Sequence, residues 1–332
     1  MNTNNLIVVN GETENALGVL VYYSAANILV NKLKFQQIGM ELGLSKFKPH
    51  RESAADAFRN ATSSINERFT VKGASGQLKT YRIYCRDNKR EGTEFVTREL
   101  VKETLNESTN NYKKLANIYI DTKTTAAGYD NVAWDDDVNV DDFCRRAIEL
   151  FELYRVCYCR SHVDTVIESQ LEQMNATKIS IRCKMYFVPI QNMNLVKRLD
   201  EYLKAVNLIN RRRSLLGKSG DGDEYDIVFN YLPVINDERQ QQEMTHEFYK
   251  GFKKDIDFYM ERIQHFIDTG ATSDAVINRW LLKIDALQEK KRTYEAALQR
   301  ELNDLNDDYD VLQLQSQELC IRTNEFQRLM CA

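Results

Sequence analysis

Apolar residues recur every seven positions through the last quarter of the chain. Ile284, Leu298, Leu305, Leu312, Leu319 and Phe326 share one register, with Lys291 as its polar member. A stripe of that period suits a long helix packed along another helix. The preceding segment, about Glu238 to Ile267, carries Met244, Phe248, Phe252, Ile256, Tyr259, Ile263 and Phe266 at steps of three or four, and Thr269-Gly270 ends it. Ser273 is placed to cap a second helix, from Asp274 to Met330. At a rise of about 1.5 Å per residue the two helices would be roughly 45 Å and roughly 85 Å long, leaving roughly 25 residues of the second unmatched in an antiparallel hairpin. That overhang would need a partner in the N-terminal body or in another copy. Leu302, Tyr309 and Met330 sit one residue off the strict repeat, an irregularity that a packed hairpin tolerates better than a long symmetric dimer.

Upstream, the periods of two and of three to four alternate. Leu6 to Val9 and Leu17 to Tyr22 flank the Asn10-Gly11 turn signal and read as a first hairpin. Ser24 to Leu42 and Ser53 to Asn66 read as helices. Phe69 to Lys72, Leu78 to Arg86 and Leu115 to Ile120 read as strands, and 93–105 fits either period. Val140 to Arg160 and 162–174 read as helices. Lys178 to Val188 then alternates so cleanly that it predicts one strand, ended by Pro189. A helix over Met193 to Arg211 and a strand over Tyr225 to Leu232 complete a strand–helix–strand unit. The expected fold class is α+β: a mixed α/β body followed by a long, coiled-coil-like antiparallel helical hairpin at the C-terminus. The expected division is an N-terminal α+β domain over 1–135, a helix plus strand–helix–strand domain over 136–235, and the hairpin over 236–332.

Charge adds a second pattern. The chain of 332 residues has a net charge of only −4, but the charge comes in blocks. Residues 31–90 carry net +8, 130–175 net −7, 176–218 net +8 and 219–332 net −10. Such asymmetry marks either a polyanion-binding face or surfaces that meet each other inside an assembly. No stretch is long and apolar enough for a membrane span, and the first 30 residues hold no Lys or Arg, so no signal peptide is read. The seven Cys are odd in number and irregularly spaced, which suits reduced thiols better than a disulfide framework. The expected location is the cytoplasm.

Candidate chemistry is sparse. Gly217-Lys218-Ser219 lacks the earlier glycine of a phosphate-binding loop, because Arg212 stands there. Cys144, Cys157, Cys159 and His162 lack zinc-site spacing and read as small core residues. Asp135, Asp136, Asp137, Asp141 and Asp142 could hold a divalent cation in a metal-dependent enzyme; their plainer reading is a solvated turn before a helix N-terminus. No catalytic residues, metal site or cofactor are assigned. The stronger candidates are two basic strand faces: Arg82, Tyr84 and Arg86 on one, Arg182, Lys184 and Tyr186 on the other, extended by Arg211, Arg212 and Arg213. Cations interleaved with aromatics on a sheet suit a nucleic-acid backbone and its bases.

The stretch Ser53-Ala-Ala-Asp56-Ala57-Phe58-Arg59-Asn60-Ala61-Thr62, with Val21-Tyr22-Tyr23-Ser24 before it and Tyr186-Phe187-Val188-Pro189 after it, resembles an uncharacterised family of bacterial, archaeal and phage or plasmid proteins. That family has an Asp-Ala-Phe-Arg-Arg-Ala-Thr-like helix and a Tyr-Phe-Val-Pro strand; this chain departs from it at Asn60 and at Cys183-Lys184. The resemblance implies a mobile-element setting and brings no activity. The first expectation is therefore a non-enzymatic, self-associating binding protein, a homo-oligomer whose protein target belongs to the host and whose role is to antagonise host defence. The second is a nucleic-acid-binding protein using the basic strand faces. The third is the metal-dependent enzyme. No membrane partner is expected.

Overall fold

The computed structural model describes residues 15–25, 28–44, 53–72, 77–88, 94–105, 111–179, 183–211, 226–270 and 273–330, without the side chains of 274 and 323–330. The Asn10-Gly11 turn, Arg182, Arg212, Arg213, Gly217 to Ser219 and the side chain of Phe326 lie outside the described residues. The fold is mixed α+β.

The strand β1 (Ala16–Ser24) lies between β10 (Met185–Pro189) and β11 (Val228–Ile235), all antiparallel, and the short β9 (Thr177–Lys178) adds an edge beyond β10. Register pairs Leu20 with Phe187 on one side and with Leu232 on the other. The first strand, from the segment 1–135, thus forms one sheet with the strands expected in 136–235. The sheet is covered on both faces. Val19, Val21, Tyr23, Tyr186, Val188 and Phe229 join a core with α1 (Lys32–Glu41), α4 (Arg160–Gln173) and α5 (Met193–Leu208). Leu17, Leu20, Phe187 and Val234 join another with the C-terminal helices. Burial on both sides explains why β1 reads as a near-continuous apolar run. It also explains Gly18, where a Cβ would come within 2.3 Å of the Val188 carbonyl oxygen and 2.6 Å of the Phe187 ring.

The second sheet is a five-stranded meander. Its strands β3 (Asn66–Lys72), β4 (Leu78–Asp87), β5 (Phe95–Thr104), β6 (Asn111–Asp121) and β7 (Ala127–Asp130) pair in sequence order. The ambiguous segment 93–105 is therefore a strand. One face of the meander packs on α2 (Ala54–Ser63) and α3 (Val140–Val156), with Phe58 edge-on to Phe151 at 5.7 Å. Ser53 caps α2 by accepting from the Asp56 N–H. The family-like stretch is thus a packing helix, with Ala57, Phe58, Ala61 and Thr62 buried.

Two expected helices each give up a three-residue strand. β2 (Leu29–Asn31) and β8 (Cys157–Cys159) pair as a separate ribbon, so the helix expected from Ser24 starts at Lys32, capped by Asn31, and the helix expected to Arg160 stops at Val156. The ribbon is a wall between two cores. Val30 and Tyr158 enter the core of the first sheet; Leu29, Cys157 and Cys159 enter that of the meander.

The C-terminal region departs from the expected pair of helices. α6 (Glu238–Thr269) ends at Gly270 in the left-handed region, and α7 (Asp274–Leu298) follows. The helix expected to continue to Met330 breaks after Leu298. Gln299 adopts φ 52°, the Glu295 carboxylate accepts from the Leu302 N–H at 3.0 Å, and α8 (Asn306–Met330) begins after a short turn. α8 returns beside α7 and also packs on α6: Tyr309 donates to the Ile284 carbonyl at 3.3 Å, Lys291 to Asn306 at 2.9 Å, and Lys253 of α6 to Asp308 at 2.8 Å. The overhang therefore folds back on its own chain. Ile284, Leu298, Leu305, Leu312 and Leu319 are all buried within one molecule, so these seam residues need no second copy.

Phe248 of α6 stacks on Tyr294 of α7 at 4.0 Å, and the Tyr294 hydroxyl donates to the Phe187 carbonyl of β10 at 3.3 Å. This contact joins two helices to the central sheet. Replacing Phe248 with Ala removes a fully buried ring and is expected to cost about 3–5 kcal/mol of stability, read from urea denaturation of the full chain. A loss below about 1 kcal/mol, the range of surface substitutions, would show that the helices do not hold the sheet.

Candidate nucleic-acid interface

Among the described residues, α2 and α3 pack on one face of the meander, and its second face carries polar and aromatic side chains. Along β4, Ile83 and Cys85 turn toward α2 and α3, so alternation turns Arg82, Tyr84 and Arg86 the other way. Cross-strand register places Arg68 and Glu103 beside Arg82, Asn66 and Val101 beside Tyr84, and Glu99 beside Arg86. From β6, Tyr112 and Lys114 join the same face opposite Glu103 and Val101.

The side chains on this face organise one another. The Arg82 guanidinium lies 4.7 Å from the Tyr84 ring centroid and donates to Asn66 at 2.9 Å. The Arg86 guanidinium lies 4.0 Å from the Tyr112 ring and donates twice to one Glu99 oxygen, at 2.9 and 2.8 Å. Lys114 stands 3.0 Å from the other Glu99 oxygen. Partial burial works against ionisation of Glu99, but hydrogen bonds from Lys114 and Arg86 outweigh it and hold the carboxyl below its ordinary range. Tyr112 keeps 52% of its surface exposed, and Phe95, edge-on to Tyr119 at 6.0 Å, keeps 48%, so rings as well as cations reach solvent here. Tyr112 and Lys114 were missed in the sequence because the strand was started at Leu115. Simple alternation would not have found them either, because a bulge at Leu115 switches the strand's faces and turns Tyr112 and Lys114 away from Ile118 and Ile120.

The second basic face does not join the first. Lys178 to Val188 is not one strand; β9 and β10 are separate antiparallel strands of the central sheet. Tyr186 is 9% exposed and stacks with Tyr23 at 6.2 Å beneath α4. Lys184 is ion-paired to Asp164 and Glu168 of α4 and lies 4.9 Å from the Tyr23 ring. The reason is a covering layer: α4 occupies the face that alternation assigned to solvent. Arg211 sits by the small ribbon, where its N–H bonds the Leu29 carbonyl at 2.8 Å.

The acidic run is also partly internal. Lys102, on the packed face of β5, donates to Asp135 and Asp137 at 2.7 Å each, and Lys113 reaches Asp135 at 3.2 Å. Burial opposes ionisation of Asp135, yet these hydrogen bonds hold its carboxyl below the ordinary range. The lysines thus lock the loop before α3 onto the sheet. Among the described residues no three His, Cys, Asp or Glu side chains converge as a metal site. Cys159 lies on β8 rather than on a helix, with its sulfur 3.2 Å from both His162 Nδ1 and Ser161 Oγ. Burial raises its pKa, but hydrogen bonds from His162 and Ser161 bring it below the usual thiol value.

The chain belongs to a family of unknown function, DUF6744, whose model matches residues 16–325. No curated protein and no solved structure matches it. No helix among the described residues is long and apolar enough to cross a membrane.

Lys102 and Asp135 are both buried, so replacing Lys102 with Ala leaves Asp135 with Lys113 alone and takes the lysine from Asp137, and is expected to cost about 1–3 kcal/mol at neutral pH. Asp135 titrates lower in the folded chain than in the unfolded one. Its contribution is therefore complete above the unfolded carboxylate pKa, near 3.8, and is lost as pH falls through the lower folded value. Denaturation midpoints at pH 7 and pH 3 should then differ less in Lys102→Ala than in the parent chain.

Proposed function

We propose that this protein is a non-enzymatic binder of single-stranded nucleic acid, acting through the open face of the meander. The observation that carries the reading is the pairing of Arg82 with Tyr84 and of Arg86 with Tyr112 on one uncovered sheet. An antiparallel sheet with exposed rings gives bases a surface to stack on, while neighbouring cations meet the phosphates. A duplex hides its bases and fits a flat sheet poorly, so single strands are the favoured form. The resemblance read from the sequence adds a phage or mobile-element setting to the proposal. A self-associating binder of a host protein is the second reading; the resemblance supports the host target, and the apolar seam that suggested a second copy is covered, in its described part, by the chain itself.

Fluorescence anisotropy with an oligo-dT and a duplex of equal length, at two salt concentrations, tests the proposal. The single strand should bind more tightly. Tyr112→Ala should cost about 1–3 kcal/mol if a base stacks there. Lys114→Ala should reduce the salt slope, by less than the roughly 0.7 of one full single-strand phosphate contact because Glu99 already holds part of its charge. Equal binding by the parent, Tyr112→Ala and Lys114→Ala chains would remove this face from nucleic-acid recognition.

A further inference from the structure

A cleft of about 400 Å³ lies between the body and the C-terminal helices, away from the meander. Its walls are α4, the edge strand β9, α6 and α7. Gly251 of α6 allows the close approach, since a Cβ there would stand 3.1 Å from Thr177 Cγ2 of β9. Five lysines line it: Lys178 from β9, Lys250 and Lys254 from α6, Lys283 and Lys290 from α7.

These lysines divide into two groups. Lys290 is paired with Asp255 at 3.2 Å, and Lys250 with Glu247 at 3.7 Å. Among the described residues Lys178, Lys254 and Lys283 have no carboxylate within ion-pair distance. Lys178 and Lys283 instead rest on rings, 5.9 Å from Tyr186 and 4.8 Å from Trp280. The cleft's other carboxylates are Glu168, which accepts from Tyr23 and lies near Lys184, and Glu172. Lys178, Lys254 and Lys283 thus bring three ammonium groups from three different elements to the cleft, against Glu172 and the half-paired Glu168. Ammonium groups on flexible stems suit the dispersed charge of phosphate oxygens. The cleft's volume sits in the range of about 300–1,000 Å³ typical for small ligands, too small for a polymer.

We infer that this cleft binds a small molecule bearing a polyphosphate group, its phosphates held by Lys178, Lys254 and Lys283. The site draws on both the body and the terminal helices, so the ligand would tie the two together. The inference is independent of the sheet-face reading, because no residue is shared.

Isothermal titration calorimetry on the full chain with tripolyphosphate, ATP and citrate tests it. Saturable binding of tripolyphosphate, of ATP, or of both supports the site, and ATP alone adds recognition of the nucleoside. The double variant Lys254→Ala/Lys283→Ala should weaken that binding at least about tenfold. Lys123→Ala, a surface lysine paired with Glu94, should leave it unchanged. No binding of either phosphate compound at millimolar concentration, equal binding of citrate, or indifference to the double variant overturns the proposal.

Discussion

The structure depends on a central sheet buried on both faces. β1 cannot bury Val19 and Val21 on one side and Leu17 and Leu20 on the other unless two separate layers of helices close on it. One layer comes from α1, α4 and α5 and the other from the chain's last third. Neither layer can be removed without exposing a face of β1, β10 and β11. This ties sequence-distant segments into one body, and it explains why Tyr294 ends its side chain on the Phe187 carbonyl rather than in solvent. A buried tyrosine hydroxyl needs a partner, and a backbone carbonyl of β10 supplies one.

The meander meets the opposite condition. Among the described residues helices cover only one face, and two cations are built into that covered face. Arg98 is 7% exposed; it donates to the Arg59 carbonyl, the Thr62 and Ser63 hydroxyls and the Cys85 carbonyl, and its Nε lies 3.2 Å from an Asp87 carboxylate oxygen. A guanidinium at the last turn of α2 complements the helix dipole as well as the free carbonyls there. Lys102 does the same work for the loop over Asp135 and Asp137. Buried charge that is fully partnered costs little while it stays partnered, and a great deal once a partner is lost. The meander is therefore fixed from its inner side, which leaves the outer side free of structural duty.

Much of this was legible, and the failures have physical causes. The helix start near Ser53, the α6 stripe and the shared face of Arg82, Tyr84 and Arg86 follow from local period, and all stand in the structure. The break after Leu298 was not read because no Gly or Pro marks it. Its trace was the one-residue displacement of Leu302 and Tyr309 from the repeat, which records a chain that turns back rather than a helix that drifts. Lys184 and Tyr186 look solvent-facing by alternation, because a period of two says which residues share a face and not what covers it. β2 and β8 are three residues each, too short to carry a period. The Lys102 pairings span 33 and 35 residues and leave no local pattern.

Glu99 decides what the open face can do. It draws charge from Arg86 and Lys114 together, so two of the nearest cations arrive already partly neutralised. A face organised for electrostatic capture would not spend two cations on one carboxylate. The same carboxylate, however, holds Arg86 in place against the Tyr112 ring and keeps both rigid. Rigid rings lose little entropy on contact, and stacking tolerates any base. If this face binds single strands as proposed, the balance favours recognition led by stacking, with Arg82 and Arg68 supplying most of the remaining attraction for the backbone. On that account the affinity of this surface falls less steeply with salt than its count of basic residues suggests, because each phosphate that reaches Arg86 or Lys114 must first compete with Glu99.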